Sequence, residues 1–259
     1  MIHDTAIVSP QAEIGNEVEV GPYAVIDAGV VINDRCKIGP RVTLLGHTKI
    51  GAGTVIHTGA VIGDEPQDYH YEGERSYTEI GRNCTIREYV TVHRGAQKET
   101  ATVVGDNVML MGLSHIGHNA VIGENVILAN GVLIAGHVEI GARAFLSGNV
   151  MVHQFTRVGR LAMVGGGCRV RQDLPPFLMY QLELLHGVNT VGLKRAGICV
   201  EARKALKQAY RIVFRKNLKR AEALRRVRHE FADYPEVEEL AEFIENTDRG
   251  IVQAREKAS

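Results

Sequence analysis

The sequence predicts a mainly β protein: a parallel β-helix followed by a small α-helical domain. Aliphatic residues recur every six positions from Ile2 through Val8, Ile14, Val20, Ile26, Ile32, Ile38, Leu44, Ile50 and Ile56 to Ile62. The same phase returns at Ile80, Ile86 and Val92, then runs unbroken from Val104 to Val170. Past Val170 the apolar spacing becomes helical.

A period of six is neither the 3.6 of a helix nor the 2 of a strand, so short strands must alternate with tight turns. Four residues after an aliphatic position there usually stands a small or β-branched one, such as Val18, Ala24, Cys36, Thr54, Ala60, Cys84, Ala120 or Cys168. Two inward positions per unit fit a narrow core, with Gly and Asn expected in the turns. Three units make a coil of about eighteen residues, stacked at the roughly 4.8 Å spacing of strands. The phase lapses at Asp68, Glu74 and Lys98, which predicts loops inserted near 64–78 and 95–101. The first is polar and holds Gln67, Asp68, Tyr69 and His70. Loops on a rigid scaffold are where function concentrates.

The β-helix is expected over 1–190 and a helical domain over 191–259. Asp173-Leu174-Pro175-Pro176 is read as the end of the repeat. Ala202, Leu206, Ala209, Tyr210 and Val213 form one helical stripe; Leu218, Ala221, Leu224, Val227 and Phe231 form another. A third helix is expected to start near Pro235, with Val237, Leu240, Phe243 and Ile244 inward.

The 259 residues carry 30 basic and 30 acidic side chains, so no global attraction to nucleic acid or membrane is implied. The amino terminus lacks a basic and apolar leader, and no apolar run reaches the ~18 residues of a membrane span; a cytoplasmic protein is expected. Four cysteines show neither disulfide nor zinc spacing and read as core filler. Basic residues dominate from Thr190 to Glu230, including Lys204, Lys207, Arg211, Lys216 and Lys219, which suits an acidic protein partner.

His137 follows His118 by nineteen residues and His153 follows His137 by sixteen, so three imidazoles fall on adjacent coils near one edge. Two chemistries fit. Several histidines could bind zinc, as in hexapeptide-repeat carbonic anhydrases, or one could be a general base near neutral pH. No Ser-His-Asp order or reactive-cysteine setting supports a covalent acyl-enzyme.

Several motifs are more specific. They are Gly46-His47-Thr48-Lys49, Gln67-Asp68, Thr91-Val92-His93-Arg94-Gly95, His115-Ile116-Gly117-His118, Gly136-His137, Val152-His153-Gln154-Phe155, and Asn189 with Gly192-Leu193-Lys194-Arg195. With them the chain resembles the UDP-N-acetylglucosamine acyltransferases of lipid A biosynthesis over nearly its whole length. The resemblance implies a left-handed β-helix assembled as a homotrimer with active sites between subunits, and no cofactor or metal. It implies transfer of a (3R)-3-hydroxyacyl chain from acyl carrier protein to the 3-hydroxyl of the UDP-sugar. His118 then corresponds to the general base and Gly136 to a backbone donor for the oxyanion. Gln67, Asp68, His70, His115, His137, His153 and Gln154 correspond to the cleft around sugar and phosphates, and Asn189 and Arg195 to the nucleotide contacts. Gly166 falls where the family sets acyl length; glycine implies a longer chain. The acidic carrier protein is the partner implied for the basic helical stretch.

Three positions depart from the family: His70 where Lys is usual, Asn119 where a well-known relative has Asp, and Val191 where Glu is frequent. Alternatives are a related hexapeptide acyltransferase, acting on a 3-amino sugar or at a later N-acylation, a carbonic anhydrase-like protein, and a β-helical scaffold.

Overall fold

In the structure, a computed structural model that describes residues 1–254, each six-residue unit of the repeat becomes a short strand and a tight turn. Three units close a coil, and each strand pairs in parallel with the strand one coil on: Ile7 faces Val25, Glu13 faces Val31 and Glu19 faces Lys37. The result is a triangular prism of three sheets, with nine, eight and ten strands in the first, second and third. These sheets begin at Ile7–Val8, Glu13–Ile14 and Glu19–Val20.

In a typical strand the first residue faces out and the second in. Ile26, Ile32, Ile38 and Leu44 are buried, as are the small-position residues Ala24, Val30, Cys36 and Val42. At roughly 1.5–3 kcal/mol per fully buried aliphatic side chain, this internal stack dominates the stability. Cys36, Cys84 and Cys168 fill it as expected, but Cys199 is exposed. Its Sγ accepts a hydrogen bond from the Ala202 N–H at 3.4 Å and caps a helix instead. The turns also differ from expectation. Their left-handed slot holds Glu17, Tyr23, Arg35, Arg41 and Phe155 as well as Asn107 and Asn125. Coil-to-coil hydrogen bonds, such as Arg41 N–H to Pro22 O at 3.0 Å, hold that backbone conformation whichever side chain it carries.

Both insertions are present, with tighter limits. Strands Val61–Asp64 and Tyr77–Ile80 confine the first loop to 65–76, and strands Thr91–His93 and Ala101–Val104 confine the second to 94–100. Pairing shows why the phase survives. Val55 faces Thr85, thirty residues on, and Thr85 faces Met109, twenty-four on. The insertions therefore add twelve and six residues to the coil, both multiples of the repeat.

The Asp173–Pro176 stretch does not end the prism. Leu178–Gln181 adds in parallel to Met163–Val164 on the third sheet, and Leu184–Val188 returns antiparallel to it. Four helices follow: α1 Thr190–Arg195, α2 Val200–Arg215, α3 Arg220–Glu230 and α4 Pro235–Glu245. The short α1 has no stripe to betray it. In α3 the inward residues are Ala223, Leu224 and Val227, whereas Ala221 is exposed. Phe243 of α4 is half-buried, with the Arg157 guanidinium 4.6 Å above its ring. Arg157, held by buried Asp173 at 2.9 Å, donates to Asn246 O at 2.7 Å at the end of α4, and Arg160 pairs with Glu239 of α4 at 2.7 Å; these contacts join α4 to the prism. No helix among the described residues is long and apolar enough to cross a membrane.

Candidate active site

The turn between strands His115–Ile116 and Val121–Ile122 carries His118 to the corner joining the first and second sheets. The repeat stacks this turn on its equivalents. Backbone bonds run from His137 N–H to His118 O at 3.0 Å and from Phe155 N–H to Gly136 O at 3.2 Å. His118, Gly136 and Gln154 therefore form one column, and Asn119, His137 and Phe155 the next. The rings continue that stacking: His118 meets His137 edge to face at 5.1 Å, and His137 lies flat on Phe155 at 4.7 Å.

The protonation pattern of His118 follows from its partners. Asn119 Oδ1 accepts from the Ala96 backbone N–H at 2.9 Å, which identifies that atom as the oxygen. His118 Nδ1 lies 3.0 Å from the same oxygen and so must donate to it. Its Nε2 faces Asp68 Oδ2 at 4.0 Å. The first insertion thus places the Asp68 carboxyl beside the histidine. His70 Nδ1 and backbone N–H contact Asp68 Oδ1 at 3.1 and 3.0 Å, and these bonds hold the carboxyl below its ordinary range. The rest of the His70 side chain is in solvent.

On the first sheet, His115 Nδ1 contacts Thr91 Oγ1 at 2.7 Å. Burial, then the neighbouring His93 and His118, push the His115 pKa down to about 4. His93 meets His115 edge to face at 4.8 Å; it is buried, its Nδ1 has no hydrogen-bond partner among the described residues, and burial lowers its pKa. Burial, followed by the charge of His118, also lowers His137. Burial thus disfavours the charged form of each of the three imidazoles beside His118. His93 was not among the residues expected to line the cleft. Its signal was available in the Thr91-Val92-His93 strand, one coil below His115.

Other expected residues lie apart. Gln67 and Gln154 are exposed. His153 is exposed too, and its Nδ1 meets Arg249 Nη2 at 3.3 Å rather than another imidazole. Asn189 and Arg195 line a hollow of about 520 Å³ on the third sheet, with Arg143, Phe145 and Met163. That face lies opposite the His118 corner, so one chain does not bring the two groups together. The Asn189 amide also has structural work: Oδ1 caps α1 through the Gly192 N–H, and Nδ2 donates to Leu161 O. Gly166 is exposed, stacked one coil above Gly148.

Among the described residues, no group of three or more His, Cys, Asp or Glu side chains converges where a metal ion could sit. The imidazoles meet through ring edges and faces instead. What the corner offers is an imidazole anchored through Nδ1, a nearby carboxylate and a glycine backbone at close approach, groups of the kind that base-assisted acyl transfer uses.

Stacked hexapeptide coils with such a corner define a transferase of the hexapeptide-repeat class. A family profile described as bacterial transferase hexapeptide (six repeats) matches residues 29–64 and 101–136. Another, described as UDP N-acetylglucosamine O-acyltransferase, domain 2, matches 173–252. The acyl-[acyl-carrier-protein]–UDP-N-acetylglucosamine O-acyltransferase of Aquifex aeolicus is 55% identical over 255 residues, covering 97% of this chain and 98% of that protein. The enzyme of the same name from Thermodesulfovibrio yellowstonii is 46% identical over 253 residues, covering 96% and 98%. The crystal structure of a UDP-N-acetylglucosamine acyltransferase from Bacteroides fragilis superimposes with a TM-score of 0.95 at 42% identity, covering 98% of this chain and all of that one. The chain belongs to the UDP-N-acetylglucosamine O-acyltransferase family and is an acyltransferase.

Proposed function

We propose that the protein transfers a (3R)-3-hydroxyacyl chain from acyl carrier protein to the 3-hydroxyl of UDP-N-acetylglucosamine, the first step of lipid A biosynthesis, in the cytoplasm. The names of the relatives support the substrates. The observation that carries the mechanism is the Nε2 of His118 facing Asp68 across 4.0 Å.

In this reading the sugar hydroxyl docks beside the pair, within reach of both, and His118 Nε2 removes its proton as the oxygen attacks the thioester carbonyl. The imidazolium is stabilised by Asp68 and by Nδ1–H donation to Asn119. The Gly136 N–H receives the oxyanion; its carbonyl is already bonded to Phe155. Collapse of the tetrahedral intermediate expels the carrier thiolate, which takes the proton from His118. The electrostatic and hydrogen-bonding geometry is built before substrate arrives, which supports direct transfer without a covalent acyl-enzyme.

Because Asn189 and Arg195 lie on the face opposite His118, a complete site requires two copies of the chain, the third face of one against the corner of another. A cyclic trimer of prisms satisfies this three times. The exposed cations Lys204, Lys207 and Arg211 on α2 are in no ion pair among the described residues and suit the acidic carrier protein. The test is an acyl-transfer assay with UDP-N-acetylglucosamine, its 3-amino analogue and 3-hydroxyacyl carrier proteins of several lengths. Turnover with the 3-hydroxyl acceptor, lost in His118→Ala with the assembly intact, is the expected result.

A further inference from the structure

The second insertion, 94–100, joins the Asp68 loop to the turn that carries His118. We propose that it is a strut setting the Asp68 loop against His118, with Arg94 as its positioning residue. The proposal rests on the acceptor-site reading above.

Arg94 opens the insertion, and its side chain is only 16% exposed. Its backbone N–H donates to Asp64 O at 3.0 Å, where the first loop departs. Its guanidinium donates to Gly63 O at 3.2 Å and to Glu65 Oε1 at 3.2 Å. Two further bonds, from Nε and Nη2, reach Tyr71 Oη at 3.1 and 2.9 Å, and the guanidinium lies 5.6 Å from the Tyr71 ring centroid. Glu65 and Tyr71 bracket Asp68 in the chain, so one planar group fixes the loop on both sides of it. Tyr71 Oη in turn donates to Glu74 O. Gly46 leaves the guanidinium its space: a Cβ there would lie 2.7 Å from Nη1.

The remaining residues of the insertion extend the brace. Gly95 N–H donates to Tyr77 O, Glu99 N–H to Arg75 O, and Tyr77 Oη to Glu99 Oε2 at 2.7 Å. At its centre, buried Ala96 donates to the Asn119 oxygen that also holds His118 Nδ1. A chain of direct bonds therefore runs from the Asp68 loop through Arg94 and Ala96 to the base. An exposed Arg–Glu pair would contribute little. Arg94 differs in being mostly buried and in bonding chiefly neutral oxygens, whose geometry a lysine cannot reproduce.

The test compares Arg94→Lys, Tyr71→Phe, Asp68→Ala and the Asp68→Ala/Arg94→Lys double variant in steady-state kinetics with the UDP-sugar. If Arg94 acts through Asp68, Arg94→Lys raises KM about tenfold and adds nothing in the Asp68→Ala background, the non-additivity expected of coupled residues. Wild-type KM in Arg94→Lys, or effects that multiply with Asp68→Ala, would overturn the proposal. Chymotryptic cleavage after Tyr69, at the exposed tip of the loop, supplies a readout independent of activity: it should accelerate about tenfold in Arg94→Lys, as a loosened loop opens more often. An unchanged cleavage rate counts against the strut. An Asp68→Ala enzyme of normal KM with accelerated cleavage in Arg94→Lys would instead reject the acceptor site and keep the strut. Tyr71→Phe removes the hydroxyl that accepts two of the Arg94 bonds and should raise both KM and cleavage rate, so it decides the question even where Arg94→Lys folds poorly; no change in either would overturn the strut.

Discussion

Gly136 sits directly against the ring of His118: a Cβ built on it would lie 2.6 Å from Nε2 and 2.7 Å from Cε1. The backbone at 136 is not in the left-handed region, so the glycine is required by proximity and not by its dihedral angles.

Gly136→Ala should therefore preserve the coil while displacing the imidazole and covering the N–H assigned to the oxyanion. A loss of one oxyanion donor costs about 10²–10³ in rate, and kcat is expected to fall by at least that, with the melting temperature little changed. Steady-state kinetics beside thermal unfolding decide it. Near-normal kcat would remove Gly136 from the reaction.

His115 gives a pH signature in stability. Its pKa in the fold is about 4, below the ordinary value of 6.5, because burial disfavours the charged form. The unfolded chain gains a proton as pH falls through ~6.5 while the folded chain does not, so stability is lost between about pH 6.5 and 4. The limiting slope is about 1.4 kcal/mol per pH unit for one proton. His115→Asn, which does not titrate, should flatten the fall in denaturation midpoint over that window. A fall as steep as in the unaltered chain would contradict the assignment.

The fold was legible because a six-residue period has few physical solutions, and because both insertions happen to add multiples of six. The site was partly legible. The eighteen-residue coil puts His118, Gly136 and Gln154 in one column, which the sequence alone allows one to count. It does not tell which histidine faces inward beside its neighbours: His93 is buried against His115, whereas His153 turns out to Arg249. Nor could spacing find Arg94 and Tyr71, which meet across twenty-three residues of loop and strand. The separation of Arg195 from His118 depends on which face of the prism each occupies, a matter of three dimensions.

That separation predicts complementation. Arg195→Ala should raise KM for the UDP-sugar roughly tenfold or more through loss of a phosphate contact. His118→Ala should be inactive alone. Co-assembly of the two variants should restore low-KM activity, because the intact His118 corner of one chain can meet the intact Arg195 face of the other. A site contained in a single chain would show no recovery.

Gly166 tests the acyl groove. It is exposed, and a Cβ there would meet only Gly148 O at 3.3 Å and Ser147 Cβ at 3.9 Å. A side chain added there requires the Gly148 carbonyl to give by a few tenths of an ångström and otherwise meets open space, where it would compete with an acyl tail lying over the Gly148–Gly166 column. Gly166→Leu is expected to move the preferred 3-hydroxyacyl donor to a shorter chain while leaving KM for the UDP-sugar unchanged, since the hollow holding Asn189 and Arg195 does not include this residue. One blocked methylene is worth about 1–3 kcal/mol in a hydrophobic pocket, so discrimination against the longest donors should change at least tenfold. Competition between donors of different length in one reaction measures that ratio directly. An unaltered ratio would place the acyl tail elsewhere on the prism.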